Sequence, residues 1–337
     1  VPEKENEVQR KIGNIFTNYG IIIALVLLFI ILSFVSPVFF TGYNLMNILK
    51  QVSTVGILAI GVTLVILLGE IDLSFAALTT FLGVCVAKLQ GSPMAEAFSP
   101  GGFVIGVIPA IIVTLILGFS LGLGVGALIT YVRVNSFVVT LGAMGIYAGA
   151  ALIYAKSRSI TVLQPAYKAI GQGYLGGIPN LVIIYVVVII VLTVILHKTR
   201  FGRRIYGIGG NVVAAYRIGV PVNRIRILVF GIMGLISAIA AIVLTSRLNA
   251  AYPKTSTDYL LDGISACVIG GTTLSGGRGS VLRTVVGTLL LGIIYNGLTI
   301  MGVPHAFQLV VKGGIVIGAV VIDSVKRRGE AMYATGT

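Results

Sequence analysis

Charge is what this 337-residue chain has least of. Only 10% of its residues are Asp, Glu, Lys or Arg, where a soluble domain carries about a quarter. With 57% hydrophobic residues there is too little polar surface for a water-soluble globule, which excludes soluble enzymes and soluble binding modules. Acidic residues are scarcer still. Ten Asp and Glu face 24 Lys and Arg, for a formal net charge of +14. An excess of that sign fits nucleic acid in some proteins, but here the basic residues sit at the ends of apolar runs. No basic stripe with interleaved aromatics appears, so nucleic acid is set aside as a partner. The chain has two cysteines and two histidines. Cys85 and Cys267 lie in apolar stretches without a CxxC spacing and are expected to be buried and inert. His197 and His305 have no carboxylate or cysteine at ligand spacing. No metal site and no catalytic residue is therefore expected.

Glycine-rich stretches are plentiful, yet none is a nucleotide cradle. The segment 270–280, GGTTLSGGRGS, lacks GxxxxGK[ST], and 206–211, YGIGGN, is not GxGxxG. No cofactor is expected in this chain, and any ATP would be bound by partner subunits. The mixed-charge start VPEKENEVQRK has no apolar core or small-residue cleavage site, so no signal peptide is read there.

The apolar runs give the fold class, an all-α polytopic membrane protein with about ten transmembrane segments, some discontinuous. Spans are expected near 19–35, 53–69, 73–87, 103–131, 137–154, 181–196, 227–245, within 258–277, and at 285–301 and 307–322. Span 53–69 follows an amphipathic lead-in from Asn44. The permease domain covers 19–323, between an N-terminal segment 1–18 and a C-terminal tail 324–337. An even count puts both termini on one side. Alternation then gathers Arg133, Arg278, Lys326, Arg327, Arg328 and the basic loop 197–226 on that side, which the positive-inside bias makes cytoplasmic. That loop holds seven basic residues and no acidic one. Its middle reads as a short helix over 212–218, capped by Asn211 and stopped by Gly219 and Pro221. A capped helix in a cytoplasmic loop is a docking element for a soluble partner. The competing reading is a basic anchor on anionic headgroups.

Small residues recur every fourth position at Gly118, Gly122 and Gly126, and again at Gly145 and Gly149. This spacing lets helix backbones approach closely in lipid. Two places interrupt the apolar pattern. In GEIDLS (69–74), Glu70 and Asp72 stand between two apolar runs. Carboxylates two apart point about 200° from each other on a helix, so they share no face of a continuous one. Either this is a solvated turn, or a broken span whose polar residues line a path. In 258–277 the apolar core is only 264–269, with Asp262 placed to cap its start and irregular glycine backbone after it. Such backbone is tolerated at membrane depth only where protein or water covers it, and paired interruptions resemble the midplane sites of transporters. Lys312 lies deep in the tenth run, either snorkelling outward or paired with Asp258 or Asp262.

Four motifs occur in order: GEIDLS, NSFVVTLGAM (135–144), TRFGRRIYGIGGN (199–211) and LDGISACVIGGTTLSGGRGS (261–280). Together they resemble the permease subunits of bacterial ABC importers for simple sugars, the ribose, xylose and galactose branch of the branched-chain amino acid and sugar permeases. The similarity runs from about 19 to 326. It implies a multi-pass inner-membrane subunit that pairs with a second permease copy in the lipid bilayer. Cytoplasmic ABC ATPase subunits would dock below it, and a periplasmic sugar-binding protein would deliver a monosaccharide from above. Glu70, Asp72, Ser74, Asn135, Asp262 and Ser265 are then expected along the substrate path. Arg203, Gly209, Gly210, Asn211, Ala214, Ala215, Arg217 and Gly219 are expected in coupling to the ATPase. The chain departs from the family in carrying Glu70 where a glycine is usual, and Val212-Val213 where the docking loop usually has an acidic residue. The alternatives are a stand-alone secondary transporter or facilitator and a membrane scaffold. The first predicts ion-coupling carboxylates deep in the spans, and the second leaves the polar break at 70–74 unexplained.

Overall fold

The computed structural model describes residues 20–90, 105–161, 164–254, 256–318 and 321. The N-terminal segment 1–18 and the tail 324–337 lie outside the described residues. In chain order the helices are α1 (Gly20–Val35), α2 (Gly42–Leu67), α3 (Phe75–Leu89), α4 (Val107–Tyr131), α5 (Ser136–Tyr154), α6 (Pro165–Gln172), α7 (Asn180–Lys198), α8 (Arg200–Gly210), α9 (Val212–Arg217), α10 (Val222–Leu248), α11 (Ser256–Ile269), α12 (Val281–Ile300) and α13 (His305–Gly318). Four two-residue strands complete the list. β1 (Ile160–Thr161) pairs with β4 (Ala250–Ala251) and β2 (Tyr174–Leu175) with β3 (Ile178–Pro179).

Six of these helices are long and apolar enough to cross a membrane: α2, α4, α5, α7, α10 and α12. The helices α1, α3 and α13, and the part of α11 from Tyr259 to Ile269, are apolar but shorter. Burial sorts the long helices into layers. In the most apolar window of α2, 78% of residues are buried, and in α10, 72%. The figures for α4, α5 and α7 are 28%, 22% and 28%. So α2 and α10 form the centre, with α4, α5 and α7 presenting Ile112, Ile116, Ile146, Ile153, Val187 and Ile190 outward. Helix α2 begins earlier than the expected span. Thr41 caps it by accepting from the Asn44 backbone N–H at 3.3 Å, so the lead-in is the first turns of one continuous helix.

The tightest helix crossing is between α4 and α10. A Cβ at Gly122 would sit 2.2 Å from the Phe230 carbonyl oxygen, and one at Gly118 2.6 Å from that of Gly234. A Cβ at Gly126 would meet the Ile227 backbone at 2.9 Å. The four-residue glycine spacing thus lies against another backbone, as the pattern predicts. Gly145 and Gly149 on α5 meet nothing within 4 Å, so among the described residues their spacing packs no helix.

Several polar side chains inside the bundle are tied in pairs. Asn44 and Asn296 exchange two amide hydrogen bonds of 2.9 and 2.8 Å between α2 and α12. Thr63 on α2 bonds Thr284 on α12 at 2.8 Å, and the Cys267 thiol of α11 donates to the Ala59 carbonyl at 3.0 Å. Both cysteines are free and buried. Lys312 of α13 does not snorkel: its Nζ lies 2.9 Å from Asp262 Oδ1 on α11 and 4.4 Å above the Tyr295 ring. Asp262 accordingly sits in mid-helix and does not cap the start of α11, because the helix begins at Ser256. A lysine sealed among helices would be costly without a counter-ion, and the Asp262 carboxylate supplies one.

The glycine contacts generate a paired stability test. Gly122→Val should destabilise the folded chain in detergent by roughly 1–3 kcal/mol through overpacking. Gly145→Val should shift the thermal midpoint little, an effect within about 0.5 kcal/mol.

Candidate functional site

The informative end of the molecule is where the two polar interruptions meet the basic loop. Helix α2 stops in a left-handed glycine cap. Gly69 has φ +83°, its N–H donates to Ile66 O at 2.8 Å, and the Glu70 N–H donates to Val65 O at 3.2 Å. This six-to-one, five-to-two pattern satisfies carbonyls that would otherwise be orphaned. The same pattern ends α9. Gly219 has φ +78°, with Gly219 N to Tyr216 O at 3.1 Å and Val220 N to Ala215 O at 3.0 Å. At its start, Asn211 Oδ1 accepts from the Ala214 N–H at 2.9 Å. The helix anticipated over 212–218 is therefore present with both of its expected caps.

Sequence reasoning missed α8, which precedes it. Thr199 caps α8 by accepting from the Gly202 N–H at 3.2 Å, and Ile205 and Ile208 face inward while Arg203 and Arg204 face outward. That apolar spacing was readable, but four glycines in eleven residues hid it. Helix α8 ends on a backbone-to-backbone joint. A Cβ at Gly209 would lie 1.9 Å from the Leu67 carbonyl oxygen and 2.6 Å from Gly277 N, and a Cβ at Gly276 2.8 Å from Gly69. The Gly277 N–H donates to Leu67 O at 3.0 Å. Nearby, the Tyr206 hydroxyl donates to the Gly279 carbonyl at 2.9 Å, and burial pushes its pKa up, keeping it a neutral donor. The basic loop, the α2–α3 break and the glycine segment before α12 are thus one packed unit.

The expected path residues separate into three groups. Glu70 and Asn135 come together, lining a cavity of about 410 Å³ with Thr130, Arg133, Ser136 and Arg226. Glu70 is ion-paired there, its Oε1 2.7 Å from Arg226 Nε at the start of α10. Asp72 and Ser74 are buried behind it. Asp72 Oδ1 accepts from the Ser74 N–H at 2.7 Å and from the Ser74 hydroxyl at 2.6 Å, so Asp72 organises the start of α3. The break is held to α5 by two further bonds, Ile71 N to Ser136 Oγ and Thr140 Oγ1 to Ile71 O, both 3.3 Å. Asp262 and Ser265 lie apart on α11, where Asp262 holds Lys312 and the Ser265 hydroxyl donates to the Leu261 carbonyl.

The coupling residues divide by face. Ala215 is turned inward and is 4% exposed. Ala214, Arg217 and Gly219 are exposed beside Val212, Val213, Tyr216 and Ile218, the last two at 73% and 81%. An exposed apolar patch beside arginines marks an interaction surface, for a protein or for a membrane. A groove of about 390 Å³ adjoins it, lined by Arg200, Arg203, Arg204, Asn211, Ala214 and Ala215 among others.

Residues 44–320 match the model of the branched-chain amino acid transport system, permease component family. The chain belongs to this family. As a permease component it is 41% identical to the ribose import permease protein RbsC of Bacillus subtilis (strain 168), covering 91% of this chain and 92% of the relative. It is 36% identical to the protein of the same name from Escherichia coli (strain K12), over 91% and 93%. To the L-arabinose ABC transporter permease protein AraH of Azospirillum brasilense it is 33% identical, over 91% and 88%. No solved structure matches this permease.

The Asp72 cap can be tested apart from transport. Asp72→Ala removes the acceptor and should lower stability by about 0.5–2 kcal/mol, while Asp72→Asn keeps an Oδ1 acceptor and should retain most of it. Thermal unfolding of both variants in one detergent makes the comparison.

Proposed function

We propose that this permease is the transmembrane subunit of an ATP-driven importer that moves a monosaccharide delivered by an external binding protein. The observation that carries the reading is the α8–α9 unit, a capped helix with an exposed apolar face, locked backbone to backbone onto the α2–α3 break. A push on α9 by a cytoplasmic ATPase reaches Leu67 and Gly277 without a flexible link between. The named relatives import ribose and L-arabinose, which supports a pentose or a similar sugar as the solute. Energy comes from the partner ATPase.

Ten crossings with both termini in the cytoplasm fit the way contacts sort the connections. Bonds and close contacts join 67–74, 136, 206–210, 226 and 276–279 at one end. At the other, β1 meets β4, and Gln164 Nε2 donates to Gln90 O at 2.6 Å. Helices such as α3, 15 residues and about 22 Å long, cross by borrowing the flanking turns. The open faces of Gly145 and Gly149 support a second permease copy packing beside α5. Glu70, Asp72, Ser74, Asn135, Asp262 and Ser265 remain the proposed path residues, with Glu70 and Asn135 at its inner mouth.

Ile218→Asp should lower ATPase co-purification and stimulated hydrolysis while leaving insertion and folding intact, since Ile218 is 81% exposed. Ala215→Trp should instead disrupt α9 itself. If Ile218→Asp hydrolyses and co-purifies like the parent, the docking reading fails. For sidedness, a cysteine replacing Ser157 in a chain lacking Cys85 and Cys267 should react with an impermeant thiol reagent from outside, and one replacing Ile218 only from inside.

A further inference from the structure

Glu70 and Arg226 meet where the end of α2 faces the start of α10. Glu70 Oε1 lies 2.7 Å from Arg226 Nε, with the two side chains 14% and 22% exposed. The Nε group makes no aligned hydrogen bond among the described residues, so attraction between the charges holds the contact. Such attraction is weakly directional and is screened by salt. By the resemblance drawn from the sequence, Glu70 stands where a glycine is usual, so this contact is particular to the present chain.

The pair closes a ring. From Leu67 the ring passes to Gly209 at the end of α8, which lies against the Leu67 carbonyl. Helix α8 runs directly into α9 at Asn211. Residues 218–221 then join α9 to α10 in a turn held by Val220 N to Ala215 O at 3.0 Å and Ile225 N to Pro221 O at 3.1 Å. Arg226, in the second turn of α10, returns to Glu70. Every other step of this ring is a peptide bond or a backbone contact, and the ion pair is its one link between side chains. Deeper in the bundle, Gly61 of α2 lies against Met233 and Ile236 of α10. That apolar contact serves as a pivot. The helix ends at Glu70 and Arg226 are the parts free to separate, because a partly exposed ion pair is the weakest member of such a ring.

What the pair stands in front of gives it a role. Glu70 and Arg226 both line the cavity of about 410 Å³. Behind Glu70 lie Asp72 and Ser74, 5% and 2% exposed, and Ser136 in the cavity wall is 6% exposed. We propose that the Glu70–Arg226 pair is a latch between the cavity and these buried polar groups. It holds the inner mouth closed and parts when α9 and the start of α10 are displaced. The direction of the mouth and the source of the displacement rest on the importer reading, whereas the latch is tested without sugar or ATPase.

The test uses the full-length permease in nanodiscs, lacking Cys85 and Cys267 and carrying Ser136→Cys. The rate of its reaction with N-ethylmaleimide, a neutral reagent, reports opening. With the pair intact, reaction should be slow. Glu70→Gln should speed it roughly fivefold, the population shift that a pair of this exposure supports. Exchange of the charges, Glu70→Arg with Arg226→Glu, should restore most of the slow rate. About 1 M salt shortens the screening length to about 3 Å, so it should speed the intact pair and leave Glu70→Gln unchanged. A brace needed only for folding would not split the two chains this way at equal unfolding temperature. The salt response of the intact pair needs no substitution in the latch, so it decides the matter even where a variant folds poorly. Absence of that response, or equal rates for the intact pair and Glu70→Gln, would overturn the latch. With the partner ATPase bound, ATP should speed labelling of the intact pair, and an unchanged rate would overturn its link to α9. If no ATPase associates while the salt and charge results hold, the importer reading falls and the latch stands.

Discussion

The contact on which the rest depends is a single backbone hydrogen bond, Gly277 N–H to Leu67 O at 3.0 Å, and the glycines that permit it. Helix ends leave carbonyls without intrahelical partners, and an apolar surrounding gives them no water to turn to. Leu67 closes the last turn of α2, so its carbonyl needs a donor from elsewhere. The segment before α12 supplies one only because Gly209, Gly276 and Gly69 let three backbones touch. Any side chain at Gly209 would occupy the space of that carbonyl. One bond between segments far apart in sequence thereby welds the basic loop to the central helix.

From that weld, the placement of charge follows. The turn after Gly69 sends Glu70 outward to Arg226 and Asp72 inward to the start of α3, so two carboxylates two residues apart do different work. One faces an open cavity and is matched by a guanidinium. The other is enclosed and matched by the N–H and hydroxyl of Ser74. The divergence is the geometric result of breaking the helix between them. It also explains how a chain with few acidic residues keeps these two at the foot of its core.

Much of this was legible in the sequence. Helix α9 could be read with both caps because Asn, Gly and Pro act locally, and their signals survive any tertiary context. The glycine triplet 118, 122, 126 was legible because close backbone approach demands it, whereas 145 and 149 have the same spacing with no partner among the described residues. Periodicity reports that a face is smooth, not what lies against it. Three things were hidden. Helix α8 was masked by glycines whose purpose is tertiary, in the joint with Leu67 and Gly277. The inward turn of Ala215 depends on how α9 lies on the bundle. The pairing of Lys312 with Asp262 joins residues 50 apart; the sequence offered it as one alternative to snorkelling, and local pattern could not choose between them. Of the candidate path residues, proximity of Glu70 to Asn135 likewise required the fold.

The Lys312–Asp262 pair has a consequence for how the protein is made. Alone, α13 is a short apolar segment with a lysine inside it, and such a residue near a helix centre opposes translocon insertion by about 2.5–3.5 kcal/mol. The carboxylate that neutralises it is on α11, earlier in the chain and buried among helices already synthesised. Helix α13 is thus a client of the bundle rather than an independent membrane segment: it partitions into lipid with a counter-ion waiting. Order of synthesis and order of charge neutralisation coincide, so a ribosome that stops short of α13 leaves Asp262 without its lysine counter-ion.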